Sequence, residues 1–249
     1  MIYHRGSIKQ FFKGDPTLKG CWSFEQGAVD ESGNNNHGTI NGAVSVIGRF
    51  GKCLRFNGSD NYVNVPHNSS LNMSGGISML AWFKTGGTND YSGIVQKFLD
   101  SNNTGWGLSY NNNGNLRADF GNGSVYINVG SSGIDVRDNR WHFACATYDG
   151  SNAKIYIDGK LRGLISGSGY LTNNTRNLTF GEDSDGGFDR YFNGYIDEIA
   201  IFSRALSSDE IFAYYKWSIG ARNKSIFIID VPSVVTVTSA RRRLLLSTY

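Results

Sequence analysis

Apolar and polar positions alternate with a period of two through much of this chain, and that alternation predicts strands. The clearest run covers residues 141–148. Trp141, Phe143 and Cys145 fall on one side, and His142, Ala144 and Ala146 on the other. A second run follows at 154–157, after the turn residues Asp149 and Gly150. Asp158-Gly159 then stands between Tyr156-Ile157 and Leu161. A tight hairpin needs positive φ in its turn, which Gly accepts without steric cost, so this dipeptide predicts a hairpin.

The same reading gives strands at Cys21–Glu25, at 51–58 and at 61–66, the last two joined by a turn at 58–60. Residues 77–84 are almost continuously apolar, with Trp82 and Phe83 on opposite faces, so both faces of that strand are expected to be covered. Further strands are predicted at 94–97, 106–110, 116–120, 125–127, 177–181 and 192–202, separated by loops rich in Asn and Gly. Ser207 and Glu210 have capping-box spacing, and Ile211, Phe212 and Tyr215 follow, which predicts one short helix. The pattern is that of an all-β, two-sheet antiparallel sandwich with a short helix near its C-terminal end.

Composition adds bounds. The 249 residues fit one large sandwich, and 39% hydrophobic with 13% aromatic residues supplies a core. A net charge of +3 is too small to imply nucleic acid, and the dense basic run is confined to Arg241-Arg242-Arg243. No apolar run approaches membrane-spanning length, so no membrane insertion is expected. Three cysteines cannot all pair within one chain. Their apolar settings favour buried free thiols, while a Cys21–Cys53 bridge stays open if their strands are neighbours. The first residues carry no apolar leader segment. The expectation is a removed leader or another route out of the cell, such as assembly into a virus particle.

Several motifs together resemble one family. They are Trp141-His142-x-Ala144 through Tyr148-Asp149-Gly150, then Tyr156-Ile157-Asp158-Gly159; Trp22, Phe24, Glu25 and Gly27; the loop Asp30 to Thr39; Gly51 to Pro66; Phe192 to Ile201; and Arg204 to Ile211. In this order and spacing they resemble the LamG-like jelly-roll family of the concanavalin A-like lectin/glucanase superfamily. The resemblance covers roughly residues 20–216 and implies a jelly roll of two antiparallel sheets. It leaves 1–19 as an N-terminal arm and 217–249 as a C-terminal extension. That extension holds two β-rich runs, 225–231 and 233–238, broken by Pro232. They read either as extra edge strands or as an arm that adds a strand to a neighbouring protein.

Candidate chemistry is limited. Some relatives are glycoside hydrolases, which need two carboxyl groups flanking the scissile bond. The E-x-D-x-x-E pattern of the retaining glucanases is absent, and Asp197-Glu198 puts two acids on opposite faces. The four histidines lie in no catalytic motif. The loop histidine His37 reads as a residue that caps or packs its loop. A non-catalytic protein is expected.

The resemblance implies a Ca²⁺ site built from Asp197 with oxygens from Glu25, Asn57, Gly58 or Asp60, and Asp30 in second rank. The alternative is that Asp197 is a buried acid bonded to loop amides. Trp106, Tyr110, Tyr126, Phe188 and Tyr191 lie in or beside Asn/Gly loops and could stack sugars, although each could equally pack in the core or rim. Arg241, Arg242, Arg243, Leu244 and Leu245 read as a segment docking on partner subunits, or as a solvated tail.

The expected function is a non-catalytic, lectin-like recognition or assembly module. It would be a surface, capsid-decoration or tail component of a phage or virus particle, at the virion surface. The alternative is a secreted bacterial carbohydrate-binding or adhesion module, extracellular or at the cell surface, with a glycan-cleaving enzyme as a more distant third. Expected partners are a glycan and, through the two arms, other protein subunits.

Overall fold

The computed structural model describes residues 6–88, 91–167, 169, 171–183 and 190–220. Phe188 and the segment 221–249, including Arg241 to Leu245, lie outside the described residues. In chain order the first elements are α1 (Ile8–Phe11), β1 (Leu18–Trp22), β2 (Thr39–Asn41), β3 (Val44–Ile47), β4 (Lys52–Asn57) and β5 (Tyr62–Val65). Then come β6 (Ile77–Thr85), β7 (Ser92–Gln96), β8 (Thr104–Tyr110), β9 (Leu116–Asn122) and β10 (Tyr126–Gly130). The chain continues through β11 (Trp141–Tyr148), β12 (Asn152–Ile157), β13 (Lys160–Ser166) and β14 (Leu178–Phe180). It closes with β15 (Glu182–Asp183), β16 (Arg190–Tyr191), β17 (Asn193–Phe202) and α2 (Ser208–Ser218).

Two antiparallel sheets face one another as a jelly-roll sandwich. One has the order β13-β12-β11-β6-β17-β4-β3, with β1 also paired to β17, making eight strands. The other has seven strands in the order β10-β9-β8-β7-β14-β5-β2. The predicted central strand is β6, which pairs with both β11 and β17. The predicted hairpin joins β12 to β13. Asp158 and Gly159 take φ of 52° and 73°, the positive pair that a tight hairpin turn requires.

The inner faces meet in one core. Met79, Ala81 and Phe83 of β6, Ala144 and Ala146 of β11, and Trp106, Leu108 and Tyr110 of β8 belong to it. The opposite parity of β6 and β11 builds a second core on the outer face of the eight-stranded sheet. Leu80, Trp82, Phe143 and Cys145 are covered there by Ile8 and Phe12 from the N-terminal segment and by Ile211 and Tyr214 of α2. Full burial of one such side chain stabilises by about 1.5–3 kcal/mol. Residues 6–19, expected as an arm, are therefore packed against the sheet. Tyr214 Oη donates to the Gly6 carbonyl at 2.8 Å, and the Ile8 N–H donates to Glu198 at 2.7 Å. Arg204 ties the two coverings together, donating to Asp15 and Glu210 at 2.7 Å each.

Helix α2 starts where the capping box predicts. Ser207 Oγ accepts from the Glu210 N–H, and Glu210 accepts from the Ser207 N–H. Cys21, Cys53 and Cys145 are all buried free thiols, so the Cys21–Cys53 bridge does not form. Cys21 sits opposite Ala200 at one end of β17, while Cys53 lies on β4 alongside the other end. No helix among the described residues is long and apolar enough to cross a membrane.

Candidate functional site: a polar cleft on the seven-stranded sheet

The outward positions of β8 are Gly105, Gly107 and Ser109, because Trp106, Leu108 and Tyr110 face the core. This leaves a bare floor. A Cβ on Gly107 would come within 2.0 Å of Gln96 Oε1, so the Gln96 amide fills the space that a side chain would take. The walls rise on either side and enclose a cleft of about 370 Å³. On one side stand Arg117 and Asp119 of β9 and Tyr126 of β10. Phe98, Asp100 and Asn103 close one end, and Tyr91, Asp183 and Arg190 approach from the loop before β7 and the β15–β16 hairpin.

Both cations of the cleft are paired, and Asp100 is a third carboxylate beside the two that pair with them. Arg117 grips Asp119 through two hydrogen bonds, Nε at 3.1 Å and Nη2 at 2.7 Å. Asn128 Nδ2 donates to the same carboxylate at 2.8 Å. Burial alone would lower the Arg117 pKa, but the Asp119 carboxylate beside it raises it overall. Arg190 lies 3.8 Å from Asp183. The Tyr91 ring is held between the two guanidinium groups, 4.7 Å from Arg117 and 5.0 Å from Arg190. Tyr91 itself takes a positive φ of 51°, which turns its ring in from the loop. Tyr126 is 47% exposed and meets the Phe98 ring edge-on at 5.7 Å.

A buried lysine secures the rim. Lys97 Nζ donates to the Arg176 carbonyl, lies 3.3 Å from the Asn174 carbonyl and is 3.2 Å from His67 Nδ1. Asn174 Nδ2 returns a bond to the Lys97 carbonyl at 3.0 Å. Burial, with Arg176 nearby, pushes the Lys97 ammonium down to about 8.

The sequence-predicted sugar residues divide. Tyr126 lines the cleft, and Tyr191 lies next to Arg190 in β16, where its ring meets Tyr62 at 6.5 Å. Trp106 and Tyr110 are fully buried in the inner core and offer no ring to a ligand. The reason is the parity of β8, whose other face carries the glycines. Sequence reasoning missed Tyr91, Gln96, Arg117, Asp119 and Arg190. Arg117-x-Asp119 had a signal, since its two residues oppose Leu116, Ala118 and Phe120 on a predicted strand. Tyr91 and Arg190 come from distant loops and carry no local signal.

The six calcium candidates are not gathered at one point. Asn57, Ser59, Asp60 and Asn61 form a turn bonded to itself, with Asn57 Nδ2 on Asp60 at 2.8 Å and three N–H groups on Asn57 Oδ1. Asn57 pairs with Asn193, four residues along β17 from Asp197, about 13 Å of strand. Asp30 accepts from the N–H groups of Cys21, Ser32 and Asn36 and so holds its own loop. In that loop His37 Nδ1 accepts from the Asp30 N–H at 3.0 Å, the capping contact expected of it.

Asp197 is different. It is fully buried; its Oδ2 accepts from the Phe50 N–H at 2.9 Å, while its Oδ1 has no hydrogen-bond partner. Burial pushes its carboxyl up to about 8 against three backbone N–H groups, and the Glu25 charge pushes the same way. Asp197 and Glu25 are thus two oxygen-bearing acids close enough to act on one another, the donor type a hard cation takes. Among the described residues, no three His, Cys, Asp or Glu side chains converge on one metal position.

Comparison with known proteins places this architecture. The sequence profile of the concanavalin A-like lectin/glucanases superfamily matches residues 57–212, more than half of the chain. No curated protein sequence matches. Among solved structures, the binding domain of Paraclostridial Mosquitocidal Protein 1 superposes with a TM-score of 0.67 at 21% identity, over 80% of this chain and 52% of that one. Domain 4 of a GH43 extracellular arabinanase from Geobacillus stearothermophilus, solved with arabinotriose, gives 0.65 at 20% identity, over 80% of this chain and 98% of that domain. The binding domain of botulinum neurotoxin DC, solved in complex with SialylT, gives 0.63 at 21% identity, over 81% and 51%. The chain thus spans about half the length of the toxin binding domains and nearly all of the arabinanase domain.

Proposed function

We propose that this chain, which belongs to the concanavalin A-like lectin/glucanase superfamily, is a non-catalytic glycan-recognition module whose site is the cleft on the seven-stranded sheet. The observation that carries this reading is the pairing of both cations in the cleft. Arg117 with Asp119 and Arg190 with Asp183 are already paired, and Asp100 leaves the lining one acid in excess, so the cleft offers donors and acceptors but no cation free for an acidic ligand. Gln96, Asn103 and the paired carboxylates suit hydroxyl groups, and the exposed Tyr126 ring suits the apolar face of a sugar. A neutral saccharide fits best. Asp119 accepts hydrogen bonds from Arg117 and Asn128, which fix its orientation in the cleft. The arabinotriose and SialylT complexes of two structural neighbours lend general support to sugar binding on this fold.

A glycan array with the purified chain, run with calcium and again with chelator, tests the reading. Binding to neutral glycans that is lost in Tyr126→Ala supports it. An empty array in both conditions, from a chain that melts cooperatively, removes it.

The unpartnered Asp197 Oδ1 favours a second proposal, that Asp197 and Glu25 hold Ca²⁺. Calcium should raise the melting temperature of the chain and leave Asp197→Asn unchanged. No response in the parent chain overturns it.

For setting, we propose the surface of a phage or virus particle, with extracellular bacterial adhesion as the alternative. The support is the sequence of 217–249, whose β-rich runs and Arg241-Arg242-Arg243-Leu244-Leu245 suit docking on a partner subunit. Incorporation into virions should be lost when 221–249 is deleted.

A further inference from the structure

One row of side chains crosses the outer face of the eight-stranded sheet, just beyond the edge of the second core. Strand register sets Trp141 beside Lys84, Lys84 beside Tyr195, Tyr195 beside Arg55, and Arg55 beside Val44. Direct partners in antiparallel strands point to the same face, so all five project outward. Five strands at about 4.8 Å make a row roughly 19 Å long.

The order along the row is aromatic, cation, aromatic, cation, aliphatic. The Trp141 and Tyr195 rings lean toward each other across Lys84, with centroids 6.3 Å apart at 54°. Lys84 Nζ lies 5.3 Å from the Tyr195 ring centroid. Val44 is 58% exposed. A third cation flanks the row, where the Arg49 guanidinium sits 5.2 Å from the Trp82 ring.

These cations differ from the ion-paired arginines of the protein. Arg117, Arg137, Arg190 and Arg204 each have a carboxylate within 4.0 Å. Among the described residues, Arg49, Arg55 and Lys84 have no such partner; their contacts are with aromatic rings or solvent. The row therefore carries an unmet demand for negative charge.

We propose that this row is a second binding site, distinct from the cleft, for a linear polysaccharide bearing carboxylate or sulfate groups. The two rings present faces to the apolar side of sugar rings, and the cations recur at strand spacing to meet acidic groups along an extended polymer. The row is narrow and one residue deep, which suits a chain laid across the strands. A protein partner is a poorer fit, because a row roughly 19 Å long and one residue wide offers far less than the ~800 Å² per side of a standard protein interface. An anionic membrane is poorer still, because the two rings are half-buried.

Affinity electrophoresis of the full chain in gels containing polygalacturonate, dextran sulfate or neutral dextran tests the site. The expected result is retardation by an anionic polymer and none by dextran; which polymer retards the chain separates carboxylate from sulfate. Retardation should weaken at least tenfold in Arg55→Ser with Lys84→Gln, and fall with added salt. It should persist in Tyr126→Ala and when Arg241, Arg242 and Arg243 are all replaced by Ala. Val44→Lys, which extends the row by one cation at an exposed position, should strengthen it several-fold. No retardation by either anionic polymer overturns the proposal. So does retardation that survives the Arg55/Lys84 variant, or that disappears with the arginine triplet alone. Binding to phosphatidylserine vesicles without retardation by either polymer also overturns it, in favour of a lipid surface.

Discussion

The outer faces of the two sheets have opposite designs. On the seven-stranded sheet, the outward positions of β8 are small, and the polar groups around them are paired with one another. Among the described residues no helix is laid over it, and the result is an open cleft whose two cations are paired. On the eight-stranded sheet, the outward positions of β6 and β11 are large and apolar. They are sealed by α1, the residues around it and α2 into a second core. Where that seal ends, a strip of aromatic rings and unpaired cations is left. The difference shows that a sandwich can spend its outward parity on stability or on recognition. On the two proposed readings, one sheet of this protein does the second, and the other does both in adjacent halves.

Breaking the seal should have the largest effect. Phe143 lies fully buried beneath Tyr214, ring centroids 5.0 Å apart, and Phe143→Ala opens a cavity where β11, β6 and α2 meet. A loss of about 3–5 kcal/mol is expected in denaturant unfolding. If the covering were only a loosely docked addition, the loss would be much smaller and the sandwich transition would stay where it was.

The next effect sharpens the same point. Arg204 bonds Asp15 of the N-terminal segment and Glu210 of α2, and the Asp15 carboxylate is almost fully buried. Arg204→Ala leaves that acid without its cation. A loss of about 2 kcal/mol is expected. Combined with Phe143→Ala, the losses should fall short of additive if the two coverings open as one unit.

How much of this contrast was legible in the sequence depended on distance along the chain. The Asp158-Gly159 turn and the Ser207–Glu210 cap are written within four residues, and both form as predicted. The parity of β11 was equally local. For Trp106 and Tyr110 the sequence left sugar stacking and core packing both open, and the core takes them. The intervening Gly105, Gly107 and Ser109 already marked the opposite face as the outward one. The cleft was not legible as a unit: Tyr91, Arg117 and Arg190 are spread over a hundred residues and meet only through sheet order. The packing of 6–19 onto the outer face was hidden for the same reason, since Ile8 and Phe12 mean nothing until Trp82 and Tyr214 are in place.

A smaller effect depends on pH. His142 sits between Asp158, 2.9 Å from Nδ1, and Asp138, 3.1 Å from Nε2, with Arg140 on the far side of Asp138. Burial opposes its charge, but the hydrogen bonds and charges of the two aspartates win and raise its pKa above the ordinary 6.5. A raised folded pKa means that the contribution is whole below 6.5 and disappears as pH rises through the raised value. The melting temperature should therefore decline over that window in the parent chain more than in His142→Gln. Parallel profiles for the two proteins would show that this pair adds nothing.

The smallest effect on stability belongs to the residue on which the function rests most. Tyr126 stands on β10 at the edge of its sheet, nearly half exposed, with one ring contact to Phe98. Removing its ring costs little packing, so Tyr126→Ala should change unfolding free energy by no more than about 0.5 kcal/mol. Sugar binding in the cleft should nevertheless vanish, because stacking needs an exposed ring face: Phe98 is buried and the Tyr91 ring is held between two guanidinium groups. Phe143→Ala should behave in the opposite way, lowering stability steeply while binding persists in the population that stays folded. Measured side by side, by denaturant unfolding and by glycan binding below the transition, the pair separates the two uses of outward parity. If Tyr126→Ala kept full binding, the recognition face would have to be the row of Trp141, Lys84, Tyr195 and Arg55 alone. The two ion pairs of the cleft would then be a matter of structure.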